Sequence, residues 1–189
     1  MSDRPERLRL FVAVDVPKAV LEELEATIAP RRADVSAARW APLENQHVTL
    51  KFLGNVDAEL FDDVVQACRD AAAATESADV RVDGLGAFPN ARRARVLWAG
   101  LQDEKETLSG LAGSLDGALA PLGFEPEKRA FTPHLTLARL RVPGDVTSIT
   151  NGLTFRSDLV PVREFHLYRS RLSPKGARYE VLESFALTS

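Results

Sequence analysis

Two of the three histidines in this 189-residue chain sit in the same local pattern, His47-Val48-Thr49-Leu50 and His134-Leu135-Thr136-Leu137. Residues two apart on a strand share a face, so each segment, if extended, presents an imidazole and a hydroxyl side by side. Val48, Leu50 and Phe52 are then expected to bury behind the first pair, and Leu135 and Leu137 behind the second. Two such strands suit displacement at the phosphorus of a cyclic phosphodiester. One group must deprotonate water, a second must protonate the departing ribose oxygen, and the two must lie on opposite sides of phosphorus. Histidine titrates near neutrality and can serve as either, each contributing roughly 10²–10⁴-fold. Threonine hydroxyls can donate to the non-bridging oxygens as charge builds. None of these steps requires a metal or other cofactor. A zinc site would need a third protein ligand, and neither a His-Glu-x-x-His segment nor a neighbouring cysteine supplies one. The third histidine, His166, has Tyr168 where the pattern has threonine, and is expected to be structural or at the surface.

The elements that position these residues can be read from periodicity. Leu8 to Val16 is almost continuously apolar after Arg9, as in a strand buried on both faces. Pro17 then opens a helix over 18–28 with its stripe at Val20, Leu21, Leu24 and Ile28, and Pro30 ends it. A strand is expected from His47 to Leu53, stopping at Gly54, with Asp57 capping a helix to about Ala74. Strands over 80–88 and 94–101 flank the turn-like Pro89-Asn90, and a third helix spans 103–122 despite three internal glycines. His134 to Val142 follows the rigid Thr132-Pro133; strands over 160–171 and 177–187 surround Pro174-Lys175-Gly176. There is no linker, no regular βαβ spacing and no glycine-rich phosphate loop. The fold expected is α+β with largely antiparallel sheets, one domain over 1–189.

Composition narrows the partners. A net charge of −3 argues against a broad basic coat for long nucleic acid, while leaving room for a pocket that grips one phosphate. Hydrophobic residues at 45% are ordinary for a globular chain. The polar start, MSDRPERLR, does not read as a signal peptide, and no apolar run there reaches the roughly 20 residues that span a bilayer. A cytoplasmic location without membrane attachment is expected. Cys68 is the single cysteine, so no intrachain disulfide can form, and its helical setting makes it a small buried apolar residue.

The chain resembles the two-histidine phosphoesterase superfamily, and within it the RNA 2′,3′-cyclic phosphodiesterases, also called 2′-5′ RNA ligases (the LigT/ThpR family). The resemblance runs from Arg9-Leu10-Phe11-Val12-Ala13-Val14 through Arg39-Trp40, Glu44 to Gly54, Phe88-Pro89 and Arg95-Val96-Leu97-Trp98. It continues through Leu122-Gly123-Phe124 and Phe131 to Arg139, and closes at Ser170-Arg171-Leu172 and Gly176-Ala177-Arg178-Tyr179. It implies a bilobal fold with two mainly antiparallel sheets facing a central cleft and helices outside. It also implies hydrolysis of a terminal 2′,3′-cyclic phosphate to a 2′-phosphate, and in some members joining of RNA ends through a 2′-5′ bond. On that basis His47 is the proton donor to the leaving 3′ oxygen and His134 the acceptor that activates water; the symmetry of the two motifs alone cannot assign these roles. Thr49 and Thr136 would bind phosphate oxygens. The partner implied is an RNA end or nucleotide carrying a 2′,3′-cyclic phosphate, met by a monomer.

Accessory residues remain open between site and scaffold. Phe11 or Trp40 could stack a base or sit in the core. Arg129 and Arg139 flank the second motif and suit phosphate, although strict alternation puts Arg139 on the face opposite His134. Arg92, Arg93 and Arg95 form a small basic cluster that either attracts an RNA tail or is simply solvated. Two other classes of function compete: binding of RNA ends without turnover, and a different phosphodiester cleavage on the same scaffold.

Overall fold

The computed structural model describes residues 6–174 and 176–189; the first five residues and Lys175 of the expected turn lie outside them. Nine strands form one curled antiparallel sheet: β1 (Arg7–Asp15), β2 (Ala38–Trp40), β3 (His47–Asp57), β4 (Ala78–Phe88), β5 (Ala94–Gln102), β6 (His134–Gly144), β7 (Val160–Val162), β8 (Glu164–Ser173) and β9 (Gly176–Ala186). Their order is β7-β4-β5-β6-β3-β1-β8-β9, with β2 on β6. The two expected sheets are halves of this sheet. They meet where β3 and β6 pair through a single position, Val48 with Leu135. Helices α1 (Lys18–Ile28), α2 (Phe61–Ala73) and α3 (Thr107–Leu119) pack their apolar stripes onto one face, and a short α4 (Thr147–Thr150) closes an end. The main core lies between these helices and Leu10, Val12, Val14, Val48, Leu97 and Leu135 of the strands. On the other face a small second cluster, Phe11, Ala13 and Tyr168 with Tyr179 against it, lies in the β1-β3-β8-β9 half. Among the described residues, no helix is long and apolar enough to cross a membrane.

Several boundaries differ from expectation for identifiable reasons. β3 continues past Gly54 to Asp57, because Gly54 adopts φ +70 at a β-bulge and pairing with β1 resumes beyond it. Asp57 does not cap α2: a 3-10 turn, Ala58–Leu60, intervenes, and the carboxylate instead accepts from Arg7 Nε at 2.8 Å. α3 is shorter than expected; Asp103 precedes it and accepts from the Leu108 amide at 2.7 Å, and Pro121 sits in a 3-10 turn after it. Pro30 likewise converts α1 into a 3-10 stretch, Ala29–Val35, instead of stopping the chain's helical path. The expected strand over 160–171 is two strands. β7 pairs with β4 in one half, whereas β8 pairs with β1 and β9 in the other, so the chain crosses between halves at Arg163. That crossing is pinned by Arg163 donating to Ala78 O at 2.7 Å and pairing with Asp79 at 2.6 Å.

Candidate active site

The Val48–Leu135 pair sets the geometry of the site. One residue to either side, it puts His47 alongside Thr136 and Thr49 alongside His134. Val48 and Leu135 are wholly buried toward the helices, while His47, Thr49, His134 and Thr136 are partly exposed on the opposite face. Diagonal neighbours across an antiparallel pair lie about 7–8 Å apart, so the two histidines are diagonal neighbours on one face of the sheet. Neither threonine hydroxyl bonds to another described residue.

Both motifs carry a bulge at the same place. In β3 the register passes from Ala13–Thr49 to Val12–Lys51, leaving Leu50 unpaired; in β6 it passes from Trp98–Thr136 to Leu97–Ala138, leaving Leu137 unpaired. Each bulge inverts the alternation beyond it. Phe52 therefore emerges on the His47 face, 60% exposed, instead of burying with Val48 and Leu50. Arg139 emerges on the His134 face, contrary to strict alternation. Lys51 is turned into the core, where it pairs with Asp116 of α3 at 2.5 Å and donates to Glu125 O at 2.6 Å. Alternation from a motif is a sound guide only up to the first bulge, and a bulge has no residue-type signal here.

A cleft of about 930 Å³ opens on this face, lined by His47, Thr49, Phe52, Thr136 and Arg139 together with Trp40 and residues of the β8–β9 hairpin. His134 lies two residues along β6 from Thr136 and outside that lining, against Phe88 edge-on at 5.2 Å and Trp98 at 6.4 Å. Trp98 can lie there because Gly86 leaves its space: a Cβ on Gly86 would meet the indole at 2.3 Å. His134 Nδ1 is 2.7 Å from Thr132 O. A carbonyl only accepts, so Nδ1 carries the hydrogen and a neutral ring holds its lone pair on Nε2.

His47 is supported differently. Its ring stacks on Phe11 at 4.9 Å and on Tyr168 at 5.6 Å, with Tyr179 edge-on at 5.2 Å. Phe11 is 1% exposed and has no face left for a base; its role is to hold His47. Burial among these rings pushes the His47 pKa down to about 4, with the nearby Asp15 carboxylate acting in the opposite direction. Asp15 pairs with His47 in the β1–β3 register and accepts from the Tyr168 hydroxyl at 2.6 Å. Burial and that carboxylate both push the Tyr168 pKa up, so the phenol stays protonated and donates. His166 is buried beneath, bonded to Ser184 Oγ at 2.8 Å and 3.7 Å from Asp15 Oδ2. The expected structural histidine thus belongs to the support of the first imidazole.

The other candidates separate. Trp40 lines the cleft but has the Arg32 guanidinium over its ring at 4.8 Å. Arg129 is exposed on the loop before β6 and does not line the cleft. Arg92 and Arg93 lie in a 3-10 turn capped by Asn90, and Arg95 donates to Arg141 O; none of the three lines the cleft. Cys68 is fully buried, and burial pushes its thiol up to about 12. Among the described residues, no three of His, Cys, Asp and Glu converge so as to hold a metal ion.

A family model described as LigT like Phosphoesterase matches residues 14–98 and 100–179, which takes in both histidine motifs. The chain belongs to this family. Among LigT-like relatives, the RNA 2′,3′-cyclic phosphodiesterase of Archaeoglobus fulgidus is 36% identical over 94% of this chain and 99% of its own length. That of Methanothermobacter thermautotrophicus is 31% identical over 96% of this chain and 100% of its own. In structure the chain is similar to apo LigT of E. coli, with a TM-score of 0.79 at 29% identity, covering 97% of this chain and 99% of that one. E. coli LigT complexed with 3′-AMP gives a TM-score of 0.77 at 29% identity, over 97% and 100% of the two chains.

Proposed function

We propose that this LigT-like protein hydrolyses the 2′,3′-cyclic phosphate at the end of an RNA to a 2′-phosphate, by acid–base catalysis without a metal. The observation that carries this reading is the single β3–β6 pair, which sets two imidazoles diagonally on one face with a threonine beside each. The names of the LigT-like relatives agree with the reaction. The two halves of the sheet act as one catalytic unit, in a cytoplasmic monomer that receives chain ends.

His134 Nε2, its lone pair set by the Nδ1 bond to Thr132 O, takes the proton from the attacking water. His47 delivers a proton to the departing 3′ oxygen. In the free protein His47 is neutral at pH 7, because its ring is buried. A cyclic phosphate anion seated against it favours the imidazolium, so substrate binding and protonation of the acid are coupled. Thr49 and Thr136 donate to the two non-bridging oxygens, where charge grows in the transition state. Phe52 and Arg139, exposed on the same face by the two bulges, suit a base and its phosphate. With the 5′ hydroxyl of a second strand in place of water as the nucleophile, and the 3′ oxygen again leaving, the same groups run the transfer toward a 2′-5′ bond.

The test is product analysis on one oligonucleotide ending in a 2′,3′-cyclic phosphate. Wild type should yield the 2′-phosphate at an undiminished rate in EDTA, and His47→Ala and His134→Ala should each lose about 10²–10⁴-fold in kcat. A 3′-phosphate product, or activity lost to EDTA and restored by zinc, would overturn the proposal.

A further inference from the structure

Beyond the histidines the cleft carries an excess of positive charge, of which the reaction above uses Arg139 alone. Arg39 of β2 stands directly opposite Arg139 of β6 in register. Like charges in such positions destabilise a pair of strands, so the arrangement is a cost unless an anion relieves it. Arg178 of β9 lines the same cleft. Arg39 Nη2 reaches the hairpin turn, where a Cβ on Gly176 would lie 3.3 Å from it. The turn is held over the cleft by Asn45 Nδ2, which donates to Ala177 O at 3.0 Å. Among the described residues none of these three guanidiniums makes an ion pair, so none has its charge offset by a neighbouring carboxylate. Among the described residues Glu44 is the one carboxylate in the lining. Unpaired arginines converging in a chain of net charge −3 are a local feature, opposite in sign to the protein as a whole.

The size of the cleft points the same way. At about 930 Å³ it lies at the upper end of the roughly 300–1,000 Å³ of small-ligand sites, more than one terminal nucleotide fills. Across the bulge Thr136 lies opposite Trp98 and Arg139 opposite Val96, two residues or about 7 Å along the sheet, which is of the order of one nucleotide step from the reacting phosphate. Leu172, 67% exposed at the end of β8, adds an apolar side chain to the same rim, as a second base would need.

We propose that Arg39 and Arg178 form a second anion subsite, which holds the internucleotide phosphodiester immediately upstream of the cyclic phosphate. The protein is thereby selective for an RNA chain end over a free cyclic mononucleotide. This rests on the cyclic-phosphate reading of the cleft, and affinity is measured separately from turnover so that the two can fail independently. Calorimetric titration compares a dinucleotide ending in a 2′-phosphate with the matching nucleoside 2′-phosphate, on wild type, Arg39→Gln and Arg178→Gln. Both side chains are exposed, so the fold should survive either change. Wild type should bind the dinucleotide about tenfold or more tighter, each substitution should remove about fivefold of that preference, and the salt dependence of dinucleotide binding should become shallower by roughly 0.7 in log–log slope per arginine. Equal affinity for the two ligands in wild type, or a preference untouched by both substitutions, overturns the subsite. Absence of turnover on any cyclic phosphate, with the affinity pattern intact, overturns the catalytic reading and leaves the subsite standing.

Discussion

Replacing Asp15 with asparagine should separate the roles of the two histidines. Asparagine keeps an oxygen for the Tyr168 hydroxyl, so the stack beneath His47 is retained while one negative charge is removed. Asp15 and His47 are register partners, with Cβ atoms about 4.5–5.5 Å apart and charge centres about 6 Å apart. The Asp15 side chain is 54% exposed, so solvent screens it. With an effective dielectric constant of about 40–80 the attraction is about 0.7–1.4 kcal/mol, or about 0.5–1 pKa unit. The other groups facing His47 are the rings of Phe11, Tyr168 and Tyr179, none of them charged. The anion favours the imidazolium, so its loss should lower the His47 pKa further, from about 4 toward 3. Proton–carbon NMR of the three histidine rings reads this directly. If His47 must hold the proton at the start of the reaction, its protonated fraction at pH 7 falls with the pKa. kcat/KM should then drop about three- to tenfold, less what a stronger acid returns in proton transfer. If His47 were the base it would already be neutral, and kcat/KM at pH 7 would fall only by the factor that a weaker base loses in proton transfer. An unchanged or raised His47 pKa would refute the electrostatic argument itself.

Three further outcomes follow from buried groups. The His47 pKa is depressed in the folded state, so the unfolded chain binds more protons between about pH 6.5 and 4, and stability present above 6.5 is lost as pH falls through that window. Thermal melts should show wild type losing on the order of 1–3 kcal/mol more than His47→Gln between those limits. Lys51→Met strips Asp116 of its buried partner and should cost about 2–3 kcal/mol in urea unfolding, toward the low end for a broken buried pair because Asp116 is 20% exposed; adding Asp116→Leu should recover most of it. Cys68, fully buried with its thiol pushed up to about 12, should resist thiol reagents until denaturant unfolds the chain, with labelling and unfolding midpoints coinciding.

The two His-x-Thr-x segments and the strands that carry them are legible in the amino-acid order. His-x-Thr-x has period two, so a strand with one polar and one buried face follows from local spacing, and α1 follows from Pro17 and a 3.6-residue apolar stripe. These depend on neighbours in the chain. What the tertiary structure decided depends on pairing between distant segments. The bulges at Leu50 and Leu137 arise from register against β1 and β5, and they sent Phe52 and Arg139 into the cleft and Lys51 into the core. The break at Arg163 exists because β7 and β8 find partners in different halves of the sheet. The low pKa of His47 comes from three rings on β1, β8 and β9, packed against a residue of β3. Periodicity reports which face a side chain prefers; only long-range hydrogen bonding sets where that periodicity slips, and which distant groups then surround the site.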